Sequence, residues 1–199
     1  MRALVLRRAP WLPAGVAACL LLALAACGGG GGGAPSTGAT AAPVSNYPYP
    51  VQRLDEVQPG HKHLAAGETF DGYNSNPPTS GPHAPAAAAW GVSDVVVTKE
   101  AAVHNMEHAG VVVWYNCNGG TQPLGAAGCT TLRSDLAGLV QAALGRGKLV
   151  LMTPYPSMEH RIALTAWQFL DAFDEFDGDR VQQFIDTFVC HTDTERVCK

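Results

Sequence analysis

Apolar residues occur along this chain in three kinds of block, and each predicts a different element. Continuous runs bounded by turn-formers come first: Val111-Val112-Val113-Trp114-Tyr115, Lys148 to Thr153 and Arg161 to Trp167. Their length and β-branched content predict buried strands, with Val111 to Tyr115 central. The last two are separated by Pro154-Tyr155-Pro156 and are expected to pair as neighbours. Gly91 to Thr98 reads as a strand or the approach to one, and Glu68 to Tyr73 as a short strand. The second kind is helical spacing. Leu132, Leu136, Leu139, Val140 and Ala143 repeat at that period up to Gly145-Arg146-Gly147. Val181, Phe184, Ile185 and Phe188 do so in a closing helix over residues 179–188, after an acidic turn from Asp171 to Asp177. A shorter helix is predicted over residues 99–108, with Thr98 as N-cap and Gly110 as the stop that turns the chain into a strand. Mixed in this order, with few parallel crossovers, the elements predict an α+β fold: a single small domain with a mixed or mainly antiparallel sheet and about three helices.

The third kind of block is the run from Ala14 to Ala26, preceded by Arg2, Arg7 and Arg8. A basic start and an apolar stretch of this length predict a secretory leader rather than a spanning helix. It ends in Leu24-Ala25-Ala26-Cys27, which looks like a lipobox, the pattern that implies diacylglyceryl transfer to the Cys27 sulfur and cleavage before it. Gly28 to Gly33 and Ala34-Pro35-Ser36-Thr37-Gly38 have nothing to bury and predict a flexible tether. The expected organisation is a lipoprotein signal peptide over 1–26, a lipidated Cys27 and tether over 27–47, and a globular domain over 48–199. The expected place is the bacterial cell envelope, lipid-anchored and facing the periplasm or exterior.

Charge and cysteine content narrow the partners. Without Arg2, Arg7 and Arg8, the formal net charge falls from −4 to −7. That acidity argues against nucleic acid or an anionic membrane surface as a partner. Cys19 leaves with the leader and Cys27 is the anchor, so four of the six cysteines remain. An even number in an exported chain predicts two disulfides. The preferred pairing joins nearest neighbours, Cys117 with Cys129 and Cys190 with Cys198. No Cys-x-x-Cys is present to favour a thiolate zinc site.

Candidate chemistry centres on His104-Asn105-Met106-Glu107-His108. On a helix, His104 and His108 share one face, about 6 Å apart at Cβ, and can bind one ion. His83 stands on the loop Asn76-Pro77-Pro78-Thr79-Ser80-Gly81-Pro82-His83, stiffened by its prolines, and can supply a third imidazole. His63 is a fourth candidate. Glu107 can ligate or orient a histidine from behind, and Met106 and Met158 are candidates near the site that, with His160, would tilt it toward copper. His61 and His191 are expected at the surface. Three imidazoles and a carboxylate suit copper or zinc. The same stretch fits His-x-x-Glu-His, so a zinc-dependent hydrolase with Glu107 as general base is the alternative, and a non-catalytic envelope module with structural histidines is another.

Several separated pieces together resemble the bacterial domain-of-unknown-function family 3105, often found as exported or anchored proteins. They are His63-Leu64, Asn76 to His83, Val103 to Val112, Pro154-Tyr155-Pro156-Ser157-Met158 and Ile162 to Trp167, within residues 61 to about 190. The family typically has Leu where this chain has Met106, and the cysteines are not part of its pattern. The resemblance implies no activity.

Overall fold

The computed structural model describes Val44 and residues 46–198, and the expected leader, Cys27 and most of the tether lie outside them. Six strands form one sheet: β1 (Gln52–Arg53), β2 (Gly91–Val92), β3 (Val111–Tyr115), β4 (Val150–Pro154), β5 (Ile162–Ala166) and β6 (Phe169–Phe173). Their spatial order is β1-β6-β5-β3-β4-β2. β3 pairs parallel with β4 and β4 parallel with β2, while β3–β5, β5–β6 and β6–β1 are antiparallel. Three helices complete the fold: α1 (Lys99–Glu107), α2 (Ala126–Gly145) and α3 (Gly178–Phe188). The α+β expectation, with a mixed sheet and three helices, is met.

β3 reads as an unbroken apolar run because both of its faces are covered. Val111, Val113 and Tyr115 face α2 and α3, against Leu136, Val140, Val181 and Phe184. Val112 and Trp114 point the other way, into a second apolar cluster with Ala102, Val103 and Met106 of α1. α3 buries the four expected residues, Val181, Phe184, Ile185 and Phe188, and a fully buried side chain of this size contributes about 1.5–3 kcal/mol.

Three expectations about elements are corrected. The strands around residues 148–153 and 161–167 are not neighbours, because β3 lies between β4 and β5. α2 carries the chain across as a parallel crossover, and the most apolar strand takes the most covered place. Glu68 to Tyr73 is not a strand: the Phe70 N–H is satisfied by the Glu100 carboxylate at 3.0 Å instead of by a ladder. Asp171 does not open an acidic turn; it sits buried in β6, bonded to the Tyr47 hydroxyl and paired with the Arg180 guanidinium. Tyr47 is buried against Phe184 and Phe188, so the segment that begins with it is laid against the domain.

The preferred disulfides are the ones formed, Cys117–Cys129 and Cys190–Cys198. Cys129 lies inside the first turns of α2, which begins earlier than its apolar repeat suggests. Bonds of this kind belong to an oxidising compartment. Among the described residues, no helix is long and apolar enough to cross a membrane.

Candidate metal centre

α1 is short and polar, yet almost wholly buried, because it is wedged between the sheet and a layer of loops. Thr98 caps it, its hydroxyl accepting from the Ala101 N–H at 3.3 Å. One side, with Ala102, Val103 and Met106, lies on β3. Asn105 pins the overlying loop, accepting from the Ala88 N–H and donating to the Ala88 carbonyl, both at 2.9 Å. The helix ends differently from expectation. The left-handed residue is Ala109, with φ 59°, while Gly110 is needed for space: a Cβ there would lie 2.2 Å from the Trp90 ring.

The proline-rich loop is buried from Pro77 to His83. Gly81 takes φ 120°, and a Cβ there would press on Val57 at 2.9 Å. His83 then pairs with the segment around His63: its N–H donates to the Lys62 carbonyl at 3.0 Å, and its carbonyl accepts from the Leu64 N–H at 2.8 Å. This bridge sets His63 beside His83, and both face α1.

The result is a convergent group of His63, His83, His104 and Glu107, whose candidate ligand atoms all lie within 4.8 Å of one another. His63 is exposed and the other three are buried. In a tetrahedral zinc site with bonds of about 2.1 Å, ligand atoms stand about 3.4 Å apart, so side-chain rotations that draw the atoms together by about an ångström close the set on an ion.

Backbone contacts settle the tautomers. His83 Nδ1 lies 2.9 Å from the Gly81 carbonyl, and His104 Nδ1 lies 2.7 Å from the Ala84 carbonyl. A carbonyl can only accept, so each ring carries a hydrogen on Nδ1, and in the neutral ring the lone pair is on Nε2. Fixing a ligand's far nitrogen in this way is how proteins orient metal-binding histidines. Glu107 is also half committed: Oε1 accepts from His61 Nδ1 at 2.6 Å. Its other oxygen, Oε2, lies 2.8 Å from His83 Nε2 and 3.7 Å from His63 Nε2. That 2.8 Å approach is an ion-pair distance when the His83 ring is protonated, and with His83 neutral it sets two buried polar atoms, neither with a hydrogen bond, face to face.

Electrostatics favour the forms that bind cations. Burial lowers the pKa of His83, outweighing the Gly81 carbonyl and Glu107, which raise it. Burial works to raise that of Glu107, but the hydrogen bond from His61 and the nearby histidines bring it below the usual carboxylate value.

The expected residues are thus largely gathered, with differences. His108 lies outside the four-residue group, although its Nε2 is 2.8 Å from His104 Nε2. Glu107, read from sequence as able to ligate or to orient a ligand from behind, is in the group. Met106 and Met158 are buried in the apolar cluster with Trp114 and Leu151. His160 contacts Asp174 at 3.1 Å instead. His61 is exposed as expected, but it stacks on Trp167 with ring centroids 5.1 Å apart and holds Glu107. Its involvement had no signal in sequence, since His61 lies in a turn in which the Lys62 N–H donates to the Pro59 carbonyl. Glu195, 2.6 Å from His108 Nδ1, had none either.

Residues 63–198 match the family described as a protein of unknown function, DUF3105. The chain belongs to this family. No curated protein and no solved structure matches it. The DUF3105 match runs from His63 to Cys198, so it takes in all four residues of the convergent group, while His61 stands just outside it.

Proposed function

We propose that this protein binds one divalent transition-metal ion, zinc or copper(II), through His63, His83, His104 and Glu107. The observation that carries the reading is the buried pair of His83 Nε2 and Glu107 Oε2, 2.8 Å apart and each without a hydrogen-bond partner. Leaving a buried polar atom unsatisfied costs about 1–3 kcal/mol. A cation between two lone pairs satisfies both atoms at once. Nitrogen and carboxylate donors suit zinc and copper(II).

Binding is favoured over hydrolysis by the position of Glu107. A general base beside a metal-bound water must keep its carboxylate free for a proton. Here Oε1 is held by His61, and in the proposed set Oε2 is taken up as a ligand. With the disulfides and the lipobox at Cys27, the proposed setting is the outer side of a bacterial membrane, to which acyl chains on Cys27 anchor the domain.

Metal content measured by plasma mass spectrometry, on the full chain purified in detergent, tests this. Near-stoichiometric zinc or copper that disappears in Glu107→Gln and in His104→Ala supports it. No metal after purification and none on titration would make the histidines a structural network that joins the proline-rich loop to α1.

A further inference from the structure

The four members of the group are not held alike. His83, His104 and Glu107 are buried, and each is gripped from outside the group. The Gly81 carbonyl holds His83 at 2.9 Å, the Ala84 carbonyl holds His104 at 2.7 Å, and His61 holds Glu107 at 2.6 Å. Among the described residues the His63 ring makes no hydrogen bond, and its Nε2 stands 3.7 Å from Glu107 Oε2. Its side chain is 52% exposed, against 0% for His83 and 3% for Glu107. Three donors are fixed and the fourth is not.

The main chain beneath His63 is nonetheless tied down. The Lys62 carbonyl accepts from the His83 N–H at 3.0 Å, the Leu64 N–H donates to the His83 carbonyl at 2.8 Å, and Leu64 is buried. The ring can therefore leave by turning about its own side-chain bonds, a motion of picoseconds to nanoseconds in an exposed residue, while the backbone stays in place. What it vacates is shaped for another flat ring. His63 lies nearly parallel to His104, with centroids 5.0 Å apart at 17°, and edge-on to His83 at 4.9 Å and 72°. Ala65, Ala66 and Gly67, which follow it, are small and exposed, so an approaching chain meets little side-chain bulk there.

We infer that His63 is the exchange ligand of the site, giving way to the imidazole of a histidine on a partner peptide or protein that delivers or collects the ion. The inference rests on the metal-binding reading above and names the partner of that site. In the step, the bond from the ion to His63 breaks and a bond to the incoming ring nitrogen forms. One neutral imidazole replaces another, so neither the charge of the complex nor the oxidation state of the ion changes. Imidazole is a donor that zinc and copper(II) accept, and a flat ring can stack on His104 as His63 does. The ion stays bound to His83, His104 and Glu107 throughout, so it is shared with the partner without passing through water. His63 sets how readily the ion is shared, while the three buried donors set whether it is held.

The test uses the full chain in detergent with two probes, isotope-labelled imidazole and an end-blocked Gly-His-Gly peptide labelled in its ring. Zn2+ affinity is read by chelator competition, and pulsed electron paramagnetic resonance reads labelled nitrogen on bound Cu2+. Wild type should show the label with either probe at about 1 mM, the order of effective concentration of a tethered side chain, and should keep its copper. His63→Ala, which changes only an exposed side chain, should bind zinc about tenfold more weakly, and either probe should restore the affinity to within about threefold of wild type. His63→Ala with wild-type affinity and no probe would overturn the exchange position. So would label on wild type without rescue of the variant, which would place the probe elsewhere on the ion. Effects of imidazole that the peptide does not reproduce would overturn the histidine-bearing partner. The wild-type measurement stands even if the variant folds poorly. Wild-type protein that takes up neither zinc nor copper would overturn the metal reading as well. Metal bound by wild type and lost in Glu107→Gln, with no label and no rescue by either probe, would overturn the exchange alone.

Discussion

His61 grips Glu107: its Nδ1 is 2.6 Å from Oε1, and its ring lies flat on Trp167. An exposed histidine thereby aims a buried carboxylate, leaving Oε2 to face His83. His61→Ala should weaken zinc or copper binding about tenfold without abolishing it, the size usual for a partner behind a ligand. Isothermal titration checks this, and an unchanged affinity would reduce His61 to a surface residue.

Metal should stabilise the fold through the same carboxylate. At a free ion concentration about 100 times Kd, a ligand that binds only the folded state adds about 2.7 kcal/mol. The thermal midpoint of wild type should rise on adding zinc and return with chelator. In Glu107→Gln the rise should be mostly lost. Equal shifts in both proteins would place the ion elsewhere.

The junction between α1 and β3 yields a pair of opposite effects. Gly110→Ala puts a methyl group into the Trp90 ring, 2.2 Å away, and should cost about 1–3 kcal/mol as an overpacked site. Ala109→Gly relieves a left-handed residue at φ 59° and should stabilise by up to about 1 kcal/mol. Urea unfolding midpoints of the two variants should move in opposite directions.

Asp174 supplies a pH dependence. Burial works to raise its pKa, but the Arg161 N–H, His160 and the Arg161 charge bring it below the ordinary 3.8. A depressed folded-state pKa means the unfolded chain binds the proton first. The contribution of Asp174 is therefore complete above 3.8 and is lost as pH falls through the lower folded value. Between neutral pH and pH below 3, Asp174→Asn should lose less stability than wild type in denaturant titrations. An equal loss would show that Asp174 is not among the groups responsible.

Local order alone was enough to read much of this molecule. Helical spacing found α2 and α3 with their buried faces, and Thr98 marked the start of α1, because a helix satisfies its backbone within its own segment. Unbroken apolar runs found β3, β4 and β5, and short separations along the chain paired the cysteines. The candidate ligands His63, His83 and His104 were also visible, through a helix face and a proline-stiffened loop.

Tertiary structure decided what depends on distant partners. The order β5-β3-β4 follows from which strand is covered on both faces, and neighbours in sequence do not carry that information. Asp171 is an acidic letter in an acidic stretch until Arg180 and Tyr47 close around it and make it part of a buried strand. The same holds at the site. Glu107 becomes a group member, and His108 an outlier, only when the bridge between His63 and His83 fixes where the lone pairs converge. A residue type reveals that a lone pair exists, while its direction is set by what holds the other side of the ring.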